Sequence, residues 1–86
     1  MTWALIVERE AARGLRRLPK RDRDRIAAAL AAMQEDPFSG DVVHLRGSSA
    51  VAFRRRVGPY RILFTVHLPE RRIDVTGIVR RTSTTY

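Results

Sequence analysis

Residues 50–67 read Ala50-Val51-Ala52-Phe53-Arg54-Arg55-Arg56-Val57-Gly58-Pro59-Tyr60-Arg61-Ile62-Leu63-Phe64-Thr65-Val66-His67. Gly58-Pro59 is turn chemistry, and the runs on either side are rich in β-branched and aromatic residues that alternate with polar ones. The stretch predicts an antiparallel hairpin, with strands over 50–57 and 60–67. Successive side chains of a strand point to opposite faces. Tyr60, Ile62, Phe64 and Val66 are therefore expected to enter the core, with Arg61, Leu63, Thr65 and His67 on the other face. In the preceding strand Val51, Phe53 and Val57 go inward with Arg55 in phase, and Ala52, Arg54 and Arg56 go outward. Arg54, Arg56 and Arg61 thus fall on one open face of adjacent strands. Charges crowd in this way in a folded protein mainly where a ligand neutralises them.

A third strand is expected over 72–79, after the turn Leu68-Pro69-Glu70-Arg71, and short connections make the three an antiparallel meander. Ile73, Val75, Gly77 and Val79 read as inward, which puts Arg80 on the open face with Thr76 and Ile78. Strict alternation then sends Arg81 to the core side, where it cannot stay unpaired. Either the chain turns at Val79, or Arg80 is the functional arginine; the pattern leaves both open.

Upstream, Thr2 to Val7 is a short first strand with Trp3, Leu5 and Val7 on one face. Glu8 and Glu10 open a helix with Ala11, Ala12, Leu15 and Leu18 at helical spacing. Gly14 weakens it, and Pro19 ends it. A second helix over 20–35 carries Ile26, Ala27, Leu30 and Met33 as its apolar stripe, and the two helices form a hairpin. Asp36 to Asp41 is a loop, and Val42 to Gly47 reads as a linker. The expectation is one α+β domain over 1–86, in the order β-α-α-β-β-β, with the helical hairpin packed on a small twisted antiparallel sheet.

The net charge is +8 in 86 residues, and its distribution is uneven. Residues 1–45 hold eight basic and seven acidic side chains, whereas residues 46–86 hold nine arginines against Glu70 and Asp74. Such a field attracts polyanions, and the guanidinium fork grips phosphate in a bidentate way. The absence of cysteine excludes disulfides and thiolate metal sites. No stretch is apolar for long enough to span a membrane, and the N-terminus lacks the features of a signal peptide, so the cytoplasm is expected.

Several spaced motifs together resemble the RelE/ParE toxin superfamily. They are Leu15-Arg16-Arg17-Leu18-Pro19, Asp36-Pro37-Phe38, Leu45-Arg46-Gly47, the run from Phe53 to Phe64, and Val79-Arg80-Arg81 through the terminal Tyr86. The likeness covers essentially the whole chain in order. It implies a toxin of a type II toxin–antitoxin pair, held inactive by a cognate antitoxin whose toxin-binding segment is acidic and amphipathic. RelE-like members are endoribonucleases that cut mRNA on the ribosome with no metal or other cofactor, the 2′-hydroxyl of the RNA attacking the adjacent phosphate. ParE-like members inhibit DNA gyrase instead. The resemblance puts the catalytic set on Arg54, Arg61, Arg81 and Tyr86, and RNA contacts on Arg46, Arg55, Arg56 and Arg80. A further basic position of the family falls on Ala52, which favours the gyrase alternative, whereas Arg61, Arg81 and Tyr86 favour the nuclease; a non-catalytic RNA-binding relic of the family is the remaining alternative.

Arginine stabilises charge on a phosphate but is a poor base, because it stays protonated. Proton transfer then falls to Tyr86 or to the two histidines. His44 and His67 read as ordinary surface residues without a catalytic partner. Trp3, Phe53 and Tyr60 read as packing residues.

Overall fold

The structure, a computed structural model, describes residues 2–45 and 52–81. Two helices pack on a five-stranded mixed sheet, in the order β1 (Ala4–Val7), α1 (Arg9–Arg16), α2 (Lys20–Glu35), β2 (Asp41–Leu45), β3 (Ala52–Val57), β4 (Tyr60–His67) and β5 (Arg72–Arg80). The spatial order is β1-β5-β4-β3-β2. The α+β class and the helical hairpin are as expected, with two additions. Residues 41–45, read as the end of a loop and the start of a linker, are a strand that pairs antiparallel with β3, Val42 opposite Arg55 and His44 opposite Phe53. Adjacent Val42 and Val43 blur its alternation, so its strand character comes from the edge that β3 offers. The other addition is the parallel pairing of β1 with β5, Leu5 opposite Ile73 and Val7 opposite Val75. The sheet is meander on one side of β5 and crossover on the other.

The hairpin predicted at residues 50–67 sets the centre. Val57 pairs with Tyr60 across the two-residue turn, and Gly58 takes φ 56°, as the first position of a type II′ turn requires. Along β4, burial alternates without a break: Tyr60, Ile62, Phe64 and Val66 are buried and their neighbours only half-buried. Ile26, Ala29, Leu30 and Met33 of α2 cover this face, with Ile73, Val75 and Ile78 of β5 and Trp3 beside them. The stripe of α2 includes Ala29, while Ala27 points to water. Positions 26, 29, 30 and 33 follow the 3.6-residue period more closely than the expected set. Trp3 and Gln34 exchange hydrogen bonds, backbone N–H to carbonyl at 2.7 Å and Gln34 Nε2 to the Trp3 carbonyl at 3.3 Å, which fixes the end of α2 to β1.

Helix α1 lies directly on β5. The Glu8 N–H donates to the Val75 carbonyl at 2.9 Å, and a Cβ at Gly14 would stand 2.7 Å from the Ile78 carbonyl oxygen. The glycine that weakens the isolated helix is what lets helix and strand approach. Gly14→Ala improves helix propensity by about 1 kcal/mol. It also forces α1 off rigid backbone, and overpacking of this kind costs about 1–3 kcal/mol. The expected outcome is net destabilisation in a urea melt; a more stable variant would contradict this packing.

Strand β5 carries a bulge. Phe64 pairs with Val75, but Leu63 pairs with Gly77, so Thr76 has no partner across the ladder and its hydroxyl donates to the Leu63 carbonyl at 3.2 Å. An extra residue reverses the alternation. Beyond it Ile78 faces the core opposite Ile62, whereas Gly77 and Val79, expected inward, lie on the open face opposite Leu63 and Arg61.

Candidate nucleic-acid interface

The bulge settles the two terminal arginines. Arg80 pairs with Tyr60 on the helix-covered face; its guanidinium lies 5.7 Å over the Tyr60 ring and reaches the phenol at 3.5 Å. Arg81 shares the parity of Gly77 and Val79 and joins the open face, its N–H donating to the Pro59 carbonyl at 2.6 Å to extend the ladder. The strand does not need to turn at Val79.

The open face now carries Arg54 and Arg56 from β3, Arg61 from β4 and Arg81 after β5. Arg56, Arg61 and Val79 form one cross-strand row, and Arg54, Leu63 and Gly77 the next. Gly77 and Leu63 make a low apolar floor: a Cβ on Gly77 would meet Leu63 Cδ1 at 3.3 Å. Among the described residues Arg54 Nη1 and Arg81 Nε are buried with no hydrogen-bond acceptor. A buried charged donor without a partner costs about 1–3 kcal/mol or more, which makes these two nitrogens candidates for an acceptor brought by a ligand. Arg56 is more exposed and stands 3.8 Å from Asp41, a surface pair of small worth.

Arg55 is placed elsewhere. It is on the helix-covered face, where Nη1 donates to the Ser39 carbonyl at 2.8 Å and to Ser39 Oγ at 3.0 Å. A Cβ at Gly40, whose φ is 81°, would stand 2.8 Å from its Cζ, so Arg55 packs on that loop. Arg55 and Arg80 therefore sit apart from the cluster, and the strand phase already set Arg55 apart. Arg46 and Tyr86 lie outside the described residues.

Tyr60 anchors the hairpin. Its hydroxyl donates to Asp22 Oδ2 of α2 at 2.6 Å, and the ring is almost wholly buried. Its phenol is held above the ordinary range, chiefly because Asp22 accepts its proton, then by burial and by the Asp22 charge, with Arg80 pulling the other way. A raised folded-state value means a contribution present below the usual tyrosine range and lost as pH rises through the folded value. Stability should fall on the alkaline side, and Tyr60→Phe should flatten that slope in melts across the range; an unchanged slope would argue against the bond to Asp22.

One feature of the face was not legible in the sequence. His67, read as lacking a partner, has Nε2 at 3.1 Å from Asp74 Oδ2 and 3.2 Å from Thr65 Oγ1. The acid is seven residues away along the chain and comes alongside only through the pairing of β4 with β5. The His44 ring lies tilted beside Phe53, with ring centroids 5.2 Å apart. Among the described residues no group of three or more His, Cys, Asp or Glu is placed to hold a metal, and no helix is long and apolar enough to cross a membrane.

No protein-family profile and no curated protein sequence matches the chain. Solved structures do, and they define the class: the chain has the fold of the RelE toxins. The RelE–RelB complex of Pyrococcus horikoshii aligns with TM-score 0.84 and 23% identity, over 98% of this chain and 100% of that one. The toxin–antitoxin complex RelBE2 of Mycobacterium tuberculosis gives 0.84 and 21%, over 94% and 100%. The YoeB/ParE toxin of Agrobacterium tumefaciens gives 0.77 and 19%, over 92% and 99%.

The unpartnered guanidinium nitrogens yield a direct check. Phosphate or sulfate should raise the melting temperature at constant ionic strength. Arg54→Met should raise it by several degrees without anion, since about 1 kcal/mol corresponds to roughly 4–8 °C in a domain of this size, and should blunt the anion response. A less stable variant with full anion response would contradict an open anion site.

Proposed function

We propose that the chain is the toxin of a type II toxin–antitoxin pair, acting as a metal-independent endoribonuclease on mRNA engaged by the ribosome. The observation that carries the reading is the placement of Arg54, Arg61 and Arg81 on the sheet face opposite the helices, two of them with buried nitrogens that have no partner among the described residues. The RelE fold supports it, and so does the arginine bias of the sheet region.

In this reaction the 2′-oxygen forms a bond to the adjacent phosphorus and the bond from phosphorus to the 5′-oxygen breaks, leaving a 2′,3′-cyclic phosphate and a 5′-hydroxyl. Negative charge grows on the phosphate oxygens as the two bonds exchange. Fixed donors aimed at that charge need no reorganisation, and the three guanidinium groups are such donors. The proton leaving the 2′-hydroxyl and the one reaching the 5′-oxygen need a titratable group, a role assigned to Tyr86. The cognate antitoxin presents an acidic amphipathic segment to the cationic chain. Two of the similar structures are toxin–antitoxin complexes, which is consistent with such a partner.

The test is induced expression with RNA ends mapped and plasmid supercoiling measured in the same cells. Wild type should arrest growth and produce cyclic-phosphate ends. Since loss of one such donor costs about 10²–10³ in rate, Arg61→Ala with Arg81→Ala should abolish both while the circular dichroism stays native. Full toxicity in the folded double variant would overturn the proposal, and relaxed plasmid with intact mRNA would replace it with gyrase inhibition.

A further inference from the structure

The open face continues beyond the arginines. Past the Arg54–Leu63–Gly77 row comes Ala52–Thr65–Asp74, and then His67 opposite Arg72. Thr65, His67, Arg72 and Asp74 all stand on the same face as Arg54 and Arg61. Asp74 is held from two sides: Arg72 Nε donates to Oδ1 at 2.9 Å and Nη2 to Oδ2 at 3.4 Å, and His67 Nε2 lies 3.1 Å from Oδ2. Arg72 is in turn held above its ordinary range, chiefly by that hydrogen bond to Asp74.

A carboxylate gripped by a guanidinium only accepts hydrogen bonds, so the neutral ring is favoured with its proton on Nε2, toward Asp74 Oδ2 and the Thr65 hydroxyl at 3.2 Å, and in that tautomer Nδ1 keeps its lone pair. The side chain is 38% exposed, so the ring is reachable, whereas Asp74 at 17% is mostly covered. The arginine end of the face offers donors alone, while this end offers an acceptor. It lies four residues beyond Leu63 along β4, roughly 13 Å at strand rise, and Ala52 in the intervening row keeps the surface low. A strand whose phosphate sits on the arginines and runs along the sheet therefore passes His67 within a few nucleotides.

Phosphate has no donor to give such an acceptor, and neither has deoxyribose. The donor that every ribonucleotide carries, whatever its base, is the 2′-hydroxyl, the group by which proteins tell RNA from DNA. We propose that His67, oriented by Asp74, accepts a hydrogen bond from the 2′-hydroxyl of a nucleotide flanking the arginine-held phosphate, and so is a specificity-determining contact for ribose. The proposal rests on the reading of the chain as RNA-binding. Asp74 is a positioning residue here: in Asp74→Asn the amide can donate to Nε2, which moves the ring proton to Nδ1 and removes the acceptor.

The experiment measures affinity of the full chain for a short RNA made uncleavable by a single deoxynucleotide at the scissile position, with further deoxy substitutions introduced one at a time on either side. In wild type, one flanking position should weaken binding about five- to tenfold, the worth of one hydrogen bond. His67→Ala and Asp74→Asn should bind the parent RNA more weakly by the same factor and be indifferent to deoxyribose at that position, with His67→Gln restoring part of the effect through its amide oxygen. Thermal melts establish that each variant is folded. Equal deoxy sensitivity in wild type and His67→Ala overturns the inference, as does dependence on base identity with none on the sugar. If RNA binds and needs Arg54 and Arg61 but no flanking ribose matters, this inference alone fails. If wild type binds no RNA, the functional reading fails with it.

Discussion

Thr76 is one residue more than the ladder between β4 and β5 can pair, and the chemistry of the molecule depends on where that residue is placed. Before it, Ile73 and Val75 fill the core opposite Val66 and Phe64; after it, Ile78 does so opposite Ile62. Without the bulge, Gly77 and Val79 would have to fill the core and Arg81 would be driven under the helices. With it, the larger apolar side chain goes inward and the glycine to the open floor beside Leu63, while Arg80 and Arg81 are separated to opposite faces. A bulge costs one ladder position and reassigns every side chain that follows.

That reassignment explains the division of labour among the arginines. Arg55 and Arg80 lie on the covered side and are consumed by structure, one tying β3 to the loop at Ser39, the other lying over Tyr60. Arg54, Arg61 and Arg81 share the face opposite the helices, where like charges gather on neighbouring rows of the sheet. The covered face supplies the rigidity that this requires. Tyr60 bonded to Asp22 ties the hairpin turn to the start of α2, Trp3 and Gln34 tie its end to β1, and Gly14 lets α1 sit on β5 at backbone distance. The sheet that carries the charges is therefore clamped from one side, and among the described residues no element packs on the other.

The open face is also chemically graded. At one end guanidinium groups present positive charge and hydrogen-bond donors. At the other Arg72 and Asp74 are paired, with the His67 ring beside them. A polymer with alternating phosphate and sugar suits such a face, because the two ends address its two repeating chemical groups.

The alternation in residues 50–67 and the turn at Gly58-Pro59 determined the central hairpin, the buried face of β4 and the shared outward face of Arg54, Arg56 and Arg61, because strand periodicity is local and survives in a single sequence. The helices and the arginine bias were legible for the same reason. Strand β2 was not, since its blurred alternation becomes a strand only against the edge of β3, and the parallel pairing of β1 with β5 joins the two ends of the chain. The fates of Arg80 and Arg81 were left open, because a bulge is defined by the partner strand and leaves no mark in the pattern of its own. The His67–Asp74 pair was hidden likewise: seven residues apart, they meet only when β5 folds back along β4. Sequence fixes what repeats within an element; which residues face one another across elements is decided by register, and that belongs to the tertiary structure alone.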